Sequence, residues 1–324
     1  MAQVSTVTGS IDTADLGPTL MHEHVFVLSP EILQNYGESY WDTEERIADG
    51  VAKLNDLASR GITSIVDPTV IGLGRYLPWV QRVAEQVDLQ IVPATGLYTY
   101  NDVPFYFHYR GFLFDTDPDP MVTMFVKDIE EGIADTGVKA GIIKCATDEG
   151  GLTPGVERVL RACARTHRAT GVPITTHTHA PSFRGRDQQR VFEEEGVDLS
   201  RVVIGHCGDS TDLDYLKELM DKGSMIGMDR FGVDVLLPFE DRVQTVVDLC
   251  AQGYADRMVL AHDAACYMDW FTPEVQSAMA PNWHFNHISD DVLPELLERG
   301  VTQDQLDEML VANPKRLFDQ TGAY

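Results

Sequence analysis

The sequence is short of positive charge. Its 324 residues carry 25 Lys and Arg against 51 Asp and Glu, a formal net charge of −26. A chain this acidic repels nucleic-acid phosphates and anionic membrane surfaces, so neither is expected as a partner. Cysteine is scarce too. The five residues, Cys145, Cys163, Cys207, Cys250 and Cys266, are odd in number and form no CxxC pair. That argues against a disulfide framework or a cysteine zinc site, and for the scattered reduced thiols of a cytoplasmic protein. No apolar run reaches the ~18 residues of a membrane helix. The opening M-A-Q-V-S-T-V-T-G-S lacks the basic and apolar regions of a secretory signal. Low-complexity tracts and Pro/Ser/Gly linkers are also missing, so one domain over residues 1–324 is expected. No G-x-G-x-x-G follows the first apolar run, which disfavours a doubly wound nucleotide-binding sheet.

What the sequence does have is a repeated unit. A charged amphipathic segment ends in glycine and a short β-branched apolar run follows. Gly61, Gly171, Gly196, Gly223 and Gly253 all stand at such junctions. Glycine there marks a left-handed helix C-cap, and a continuous apolar run marks a parallel strand buried on both faces. Strands are expected near 18–25, 62–67, 90–95, 140–145, 172–177, 201–206, 224–229 and 257–263. Thr153-Pro154 opens one of the intervening helices with a cap residue and a first-turn proline. Eight alternating units predict an α/β fold, the (β/α)8 TIM barrel. Two long connections, 96–118 and 264–288, are rich in aromatics. On a barrel both lie on the C-terminal rim, where active sites sit. The same aromatics would also serve as a dimer contact or a small local core.

The chemistry-bearing residues fall at the strand tips. His22-Glu23-His24 ends the first run, Lys144 the fourth, His177 the fifth, His206 the sixth and Asp263 the eighth. A single strand-end histidine is more often structural than a ligand, but five such coincidences on one rim point to a shared site. His22 and His24, two apart on a strand, share a face, and Glu23 turns the other way. Four imidazoles and a carboxylate suit zinc or another borderline divalent ion. A buried lysine ammonium does not, and the residues alone leave Lys144 unassigned. His179, His262, His108, His167, His284 and His287 are weaker candidates. His262 should face away from Asp263, and His167, between Arg165 and Arg168, should be exposed.

These motifs resemble the phosphotriesterase-like branch of the amidohydrolase superfamily, through nearly the whole chain. The anchors are G-P-T-L-M-H-E-H (17–24), A-G-I-I-K-C-A-T-D-E (140–149), P-I-T-T-H-T (173–178), V-I-G-H-C-G-D (203–209), G-M-D-R-F-G (227–232) and A-H-D-A-A-C-Y-M-D-W (261–270). The resemblance implies a binuclear metal centre at the C-terminal face. His22, His24 and Asp263 would hold the more buried ion and His177 and His206 the more exposed one. Lys144, carboxylated by CO2 to N6-carboxylysine, would bridge both, with a hydroxide as second bridge. Zinc, cobalt, iron or manganese would serve.

Within this family phosphotriesterases proper tend to have His after G-M-D, whereas lactonases have Arg, as here at Arg230. Tyr98 stands where lactonases place a tyrosine beside the metals. The C-Y-M-D-W-F segment resembles the loop that lines their acyl-chain channel, which implicates Cys266, Trp270, Phe271 and, further on, Trp283. Ala261 departs from the serine common before His-Asp. The resemblance thus implies a quorum-quenching N-acyl-homoserine lactone lactonase with weak phosphotriesterase activity. Asp263 would be the proton shuttle, Tyr98 would sit by the carbonyl oxygen, and Arg230 would act through Asp209 or a substrate oxygen. A homodimer is expected. The alternatives are an organophosphate phosphotriesterase, a general γ/δ-lactone esterase, or a non-catalytic metal-binding scaffold that presents the aromatic stretch to a partner.

Overall fold

A computed structural model describes residues 2–37, 41–111, 118–319 and 322–324. All five junction glycines take a positive φ. Gly171 shows the reason. At φ 79° it caps the helix Pro154–Thr170, and its N–H returns to the carbonyl of His167, a left-handed turn that a side chain would strain. At the other end Thr153 accepts a bond from Val156 N–H, and Pro154 fills the first turn.

Eight parallel strands follow one another around the sheet in chain order. We number them β1 (Thr19–Leu20), β2 (Ser64–Asp67), β3 (Gln90–Gly96), β4 (Ile142–Ala146), β5 (Ile174–His177), β6 (Val202–Ile204), β7 (Met225–Met228) and β8 (Met258–Leu260). Helices separate successive strands and lie outside them, which is the (β/α)8 barrel. Its seam closes through Met21 N–H to Leu260 O (3.1 Å) and Asp263 N–H to His22 O (3.0 Å). Among the described residues no helix is long and apolar enough to cross a membrane.

The first strand departs from the expected 18–25. β1 stops at Leu20, and a separate strand, His24–Val27, leaves the barrel to pair in parallel with Ala265–Met268. The backbone changes sides in between: Glu23 N–H bonds Val66 O on β2, whereas Met21 and His24 bond Leu260 and Ala264 on the β8 side. A regular strand would send residues 21 and 23 to the same neighbour. His22 therefore sits at a bend, not on a continuous strand. His167 is the second correction. It is buried, with Nδ1 bonded to Val172 O (2.7 Å) and Nε2 to Tyr324 Oη (2.8 Å). The C-terminal Tyr324 folds back over a position that helix periodicity alone leaves open.

Two apolar layers hold the barrel. One lies between the strands and the outer helices. The other fills the lower barrel interior with Val66, Val92, Ile142, Val203, Met225 and Val259, plugged from below by Val4, Leu317 and Phe318. The strand period of two then lifts the next inward positions to the rim: Ile142 is followed by Lys144, Met225 by Gly227 and Asp229, and Val259 by Ala261 and Asp263. Aliphatic packing below thus gives way to polar chemistry above.

Candidate metal centre and active site

The inward residues above the plug converge. His22 Nε2 lies 3.3 Å and His24 Nε2 3.2 Å from Asp263 Oδ1. His206 Nε2 lies 3.7 Å from Asp263 Oδ2. His22 Nε2 also lies 3.2 Å from Lys144 Nζ. Two sets, His22/His24/Asp263 and His22/His206/Asp229, bring ligand atoms within 4.8 Å of one another and could hold a metal ion. His206 and Asp263 reach the centre from left-handed backbone at φ 59° and 56°. Such conformations cost of order 1–3 kcal/mol and concentrate at functional sites.

Each imidazole has an oxygen behind it. Thr69 Oγ1 donates to Asp67 Oδ1 (2.5 Å) and so accepts from His24 Nδ1 at 2.7 Å. His206 Nδ1 donates to Asp229 Oδ1 (2.9 Å), and the other oxygen, Oδ2, lies 3.3 Å from His22 Nδ1. His177 Nε2 donates to Asp148 Oδ2 (2.9 Å), which leaves its Nδ1 facing the cavity, 3.1 Å from Tyr98 Oη. His22 Nδ1 thus faces Asp229 Oδ2 without forming a hydrogen bond, while His24, His177 and His206 each have one ring nitrogen hydrogen-bonded to an oxygen behind it and the other turned inward. That is the arrangement in which outer partners fix a metal ligand's tautomer and aim.

The electrostatics agree with a cationic guest. Burial, reinforced by the Lys144 charge, pulls His22 down to about 4. Burial likewise pulls His177 to about 4 and His206 well below the usual imidazole range. Neutral imidazole is the form that ligates. Burial would depress His24 as well, but its bonds to Asp263 and Asp67 outweigh it and hold His24 up at about 9. A positive charge is therefore favoured between His24 and Asp263. Asp263 stays well below the carboxylate range because His206, His22, His24 and Arg230 overcome the penalty of its burial. Lys144 is buried, and burial lowers it to about 8. His22 is its ammonium's sole hydrogen-bond contact among the described residues.

Arg230 spans the outer side. Its Nε donates to Asp263 Oδ2 (3.0 Å) and its Nη1 to Asp209 Oδ2 (2.9 Å). Asp209 is held in turn by the buried Arg242, 2.7 Å away, whose other donors reach the carbonyls of Leu237, Gly208 and Val233. Tyr98 bonds Tyr100, a second tyrosine at the mouth that the sequence reading did not single out. Above the cluster lies a cavity of about 250 Å³ whose wall includes Leu73, Leu236, Trp270, Phe271 and Met279. Trp283 also lines it, but its Nε1 is engaged, donating to His262 O and Asp263 O at 3.0 Å each. Cys266 lies outside this cavity. It faces the helix Thr43–Ala58, with Sγ 4.0 Å from Gly50 O, and borders a separate cleft of about 720 Å³ behind Trp283 that includes Glu45, Asp49 and Lys53. The weaker histidine candidates bond elsewhere, His179 to Ser182 and His287 to Asp291. His262 faces away from the centre and pairs with Glu23 at 2.6 Å.

Asp229 was not foreseen as a site residue. It serves two rings at once, and its carboxylate fits because Gly227 has no side chain: a Cβ there would collide with Oδ2. Asp229→Asn should therefore weaken metal retention by about 10–100-fold, measured by chelator competition on folded protein. Unchanged retention would show that the two imidazoles hold their aim without it.

Fold and site together define a (β/α)8 barrel with a cluster of residues able to hold metal on its C-terminal rim. The chain belongs to the phosphotriesterase family, whose model matches residues 2–318. It is similar to the phosphotriesterase structure from Mycobacterium tuberculosis, with 61% identity and a TM-score of 0.97 over 99% of this chain and 100% of that one. It is 40% identical to an aryldialkylphosphatase of Saccharolobus solfataricus, over 95% of this chain and 97% of that protein. A mutant PTE-like lactonase from Deinococcus radiodurans shares 36% identity and a TM-score of 0.90, covering 97% and 99% of the two chains.

Proposed function

We propose that this hydrolase opens the ring of N-acyl-homoserine lactones, a quorum-quenching activity, with weak phosphotriesterase activity alongside. The observation that carries the reading is the cavity itself: a floor of convergent ligand atoms and Arg230 beneath a largely apolar wall. That combination suits a small polar ring with an alkyl tail. His22, His24 and Asp263 would hold one divalent ion and His177 and His206 the other. Lys144 would lie between them as the carbamate. Bound there, the ions supply Lewis acidity and bring the pKa of the attacking water toward neutrality.

The chain's own groups do the rest. Burial lowers the Lys144 pKa to about 8, which raises the share of neutral amine at neutral pH. The neutral amine adds to CO2, forming the N–C bond and releasing its proton to solvent, which turns an awkward cation into a two-oxygen anion. Asp263 divides its work, Oδ1 toward His22 and His24 and Oδ2 toward the cavity side. Oδ2 accepts the proton of the attacking water and returns it to the departing ring alkoxide. Arg230 cannot give up its proton, so it acts by charge, helping to keep Asp263 in the ionised, proton-accepting form at a cost in base strength. Tyr98 Oη, beside His177, would donate to the substrate carbonyl oxygen. Trp270, Phe271 and Trp283 cover the acyl chain.

A second reading, organophosphate hydrolysis as the main activity, is favoured by the 40% identity to a protein named for it. A substrate panel on metal-quantified protein separates the two. Acyl-homoserine lactones should exceed paraoxon in kcat/KM by at least roughly 100-fold, with simple γ- and δ-lactones between. Paraoxon equal to or better than the lactones would transfer the assignment to the phosphotriesterase, and less than about one metal per chain without hydrolysis would support a binding scaffold. The proposed homodimer would use the exposed aromatic face of Phe105, Tyr106 and Tyr109. Phe112 and Phe114 lie outside the described residues.

A further inference from the structure

Three consecutive N–H groups around Asp263 all end on the H-E-H segment. His262 N–H donates to Glu23 Oε1 (2.8 Å), Asp263 N–H to His22 O (3.0 Å) and Ala264 N–H to Glu23 Oε2 (3.0 Å). His262 Nδ1 adds a fourth bond to Oε1 (2.6 Å). Its tautomer is set from the far side, where Nε2 accepts from Ile288 N–H (2.8 Å). His24 N–H returns to Ala264 O at 2.7 Å. Glu23 and His262 are both fully buried.

Asp263 needs this because of its backbone. At φ 56° the chain leaves the β8 direction, and the amides on either side no longer meet a neighbouring strand. Buried amides without acceptors cost a desolvation penalty each. The two oxygens of a carboxyl group can each accept an N–H, so a single side chain satisfies both amides and fixes the turn between them. From these contacts we infer that Glu23 is a positioning residue. It clamps the left-handed turn at Asp263 and thereby sets the Asp263 carboxylate against His22 and His24.

The inference rests on the metal-dependent hydrolase reading, and its test separates the two. Glu23→Gln keeps one acceptor oxygen and replaces the other with an NH2 that cannot accept. It should lower the resistance of bound zinc to chelator by about 10–100-fold. It should also speed hydrogen exchange at the 262 and 264 amides and reduce kcat with KM nearly unchanged. In an Asp263→Ala background the same change should add no further chelator sensitivity, because the group it positions is gone. A second pair of variants avoids altering Glu23. His262→Asn offers a side-chain N–H where Nδ1 stands and should stay within about threefold of wild type, whereas His262→Leu offers none and should resemble Glu23→Gln in direction. Wild-type chelator resistance in both Glu23→Gln and His262→Leu, or an equal loss with and without Asp263, overturns the clamp. If wild-type protein holds no metal, the hydrolase reading fails instead, and exchange at the 262 and 264 amides still decides the clamp.

Discussion

Asp263→Asn should lower kcat for lactone opening by roughly 10²–10⁴-fold, the usual contribution of a positioned acid–base group, while metal content stays near that of wild type. Asparagine is the informative replacement for two reasons. It retains a carbonyl oxygen where Oδ1 faces His22 and His24, so the ligand contact survives. It also tolerates left-handed backbone, so the φ of 56° is not disturbed. What it loses is the basic Oδ2 beside Arg230. Alanine would confound the result by removing the ligand and adding backbone strain of about 1–2 kcal/mol. A near wild-type rate with metal retained would refute the proton shuttle and leave Asp263 as a ligand alone.

Arg230→Ala bears on the same oxygen, with a smaller expected effect. Arg230 sits in a buried series of alternating charge, Arg242–Asp209–Arg230–Asp263. Removing Arg230 leaves Asp209 with Arg242 but takes the guanidinium from Asp263 in a low-dielectric setting, where that matters most. A basis for selectivity follows. Arg230 lines the cavity and adjoins the proposed proton acceptor, so changing it alters both the shape above the centre and the electrostatics of the base.

The barrel was legible because its signals are local. Apolar runs, glycine caps and their spacing each depend on a few consecutive residues, and Gly171 or Thr153 can be interpreted without knowing what lies across the molecule. The strand-tip residues were legible for a related reason, since the period of two fixes which side faces inward. Other features needed tertiary information. The bend at His22 arises because Glu23 takes its backbone partner from β2 rather than from the β8 side, and no composition change marks it. His167 looked like a surface residue until Tyr324 packed on it. Asp229 left a faint signal: the glycine two residues before it makes room for a carboxylate, as the structure shows. Asp148, Asp67 and Thr69 left less, because orienting a ring from behind depends on direction rather than spacing. Cys266 lies in the motif of the acyl-channel loop yet turns toward a helix, so the resemblance placed the segment on the rim but not each side chain.

Lys144 offers the other large effect. Stripping the protein of metal with a chelator should abolish hydrolysis, and readdition of zinc should restore it only as fast as the lysine recaptures CO2. In CO2-depleted buffer recovery should be slow and partial, and bicarbonate should accelerate it. That dependence follows from burial. Among the described residues the ammonium forms no ion pair with a carboxylate and His22 is its sole hydrogen-bond contact; burial outweighs the charges of Asp263 and Asp229 and lowers its pKa to about 8, which favours the reactive amine. Lys144→Met tests the same point without the chemistry, since methionine matches the length of the stem and can form no carbamate. It should drop metal content from about two ions to one or fewer and reduce kcat/KM by at least roughly 10³-fold, on the scale expected when the Lewis acid and the activated water are both lost. Full recovery without bicarbonate, or two ions retained by Lys144→Met, would leave the lysine as a buried amine hydrogen-bonded to His22. The centre would then rest on the four imidazoles and Asp263 alone.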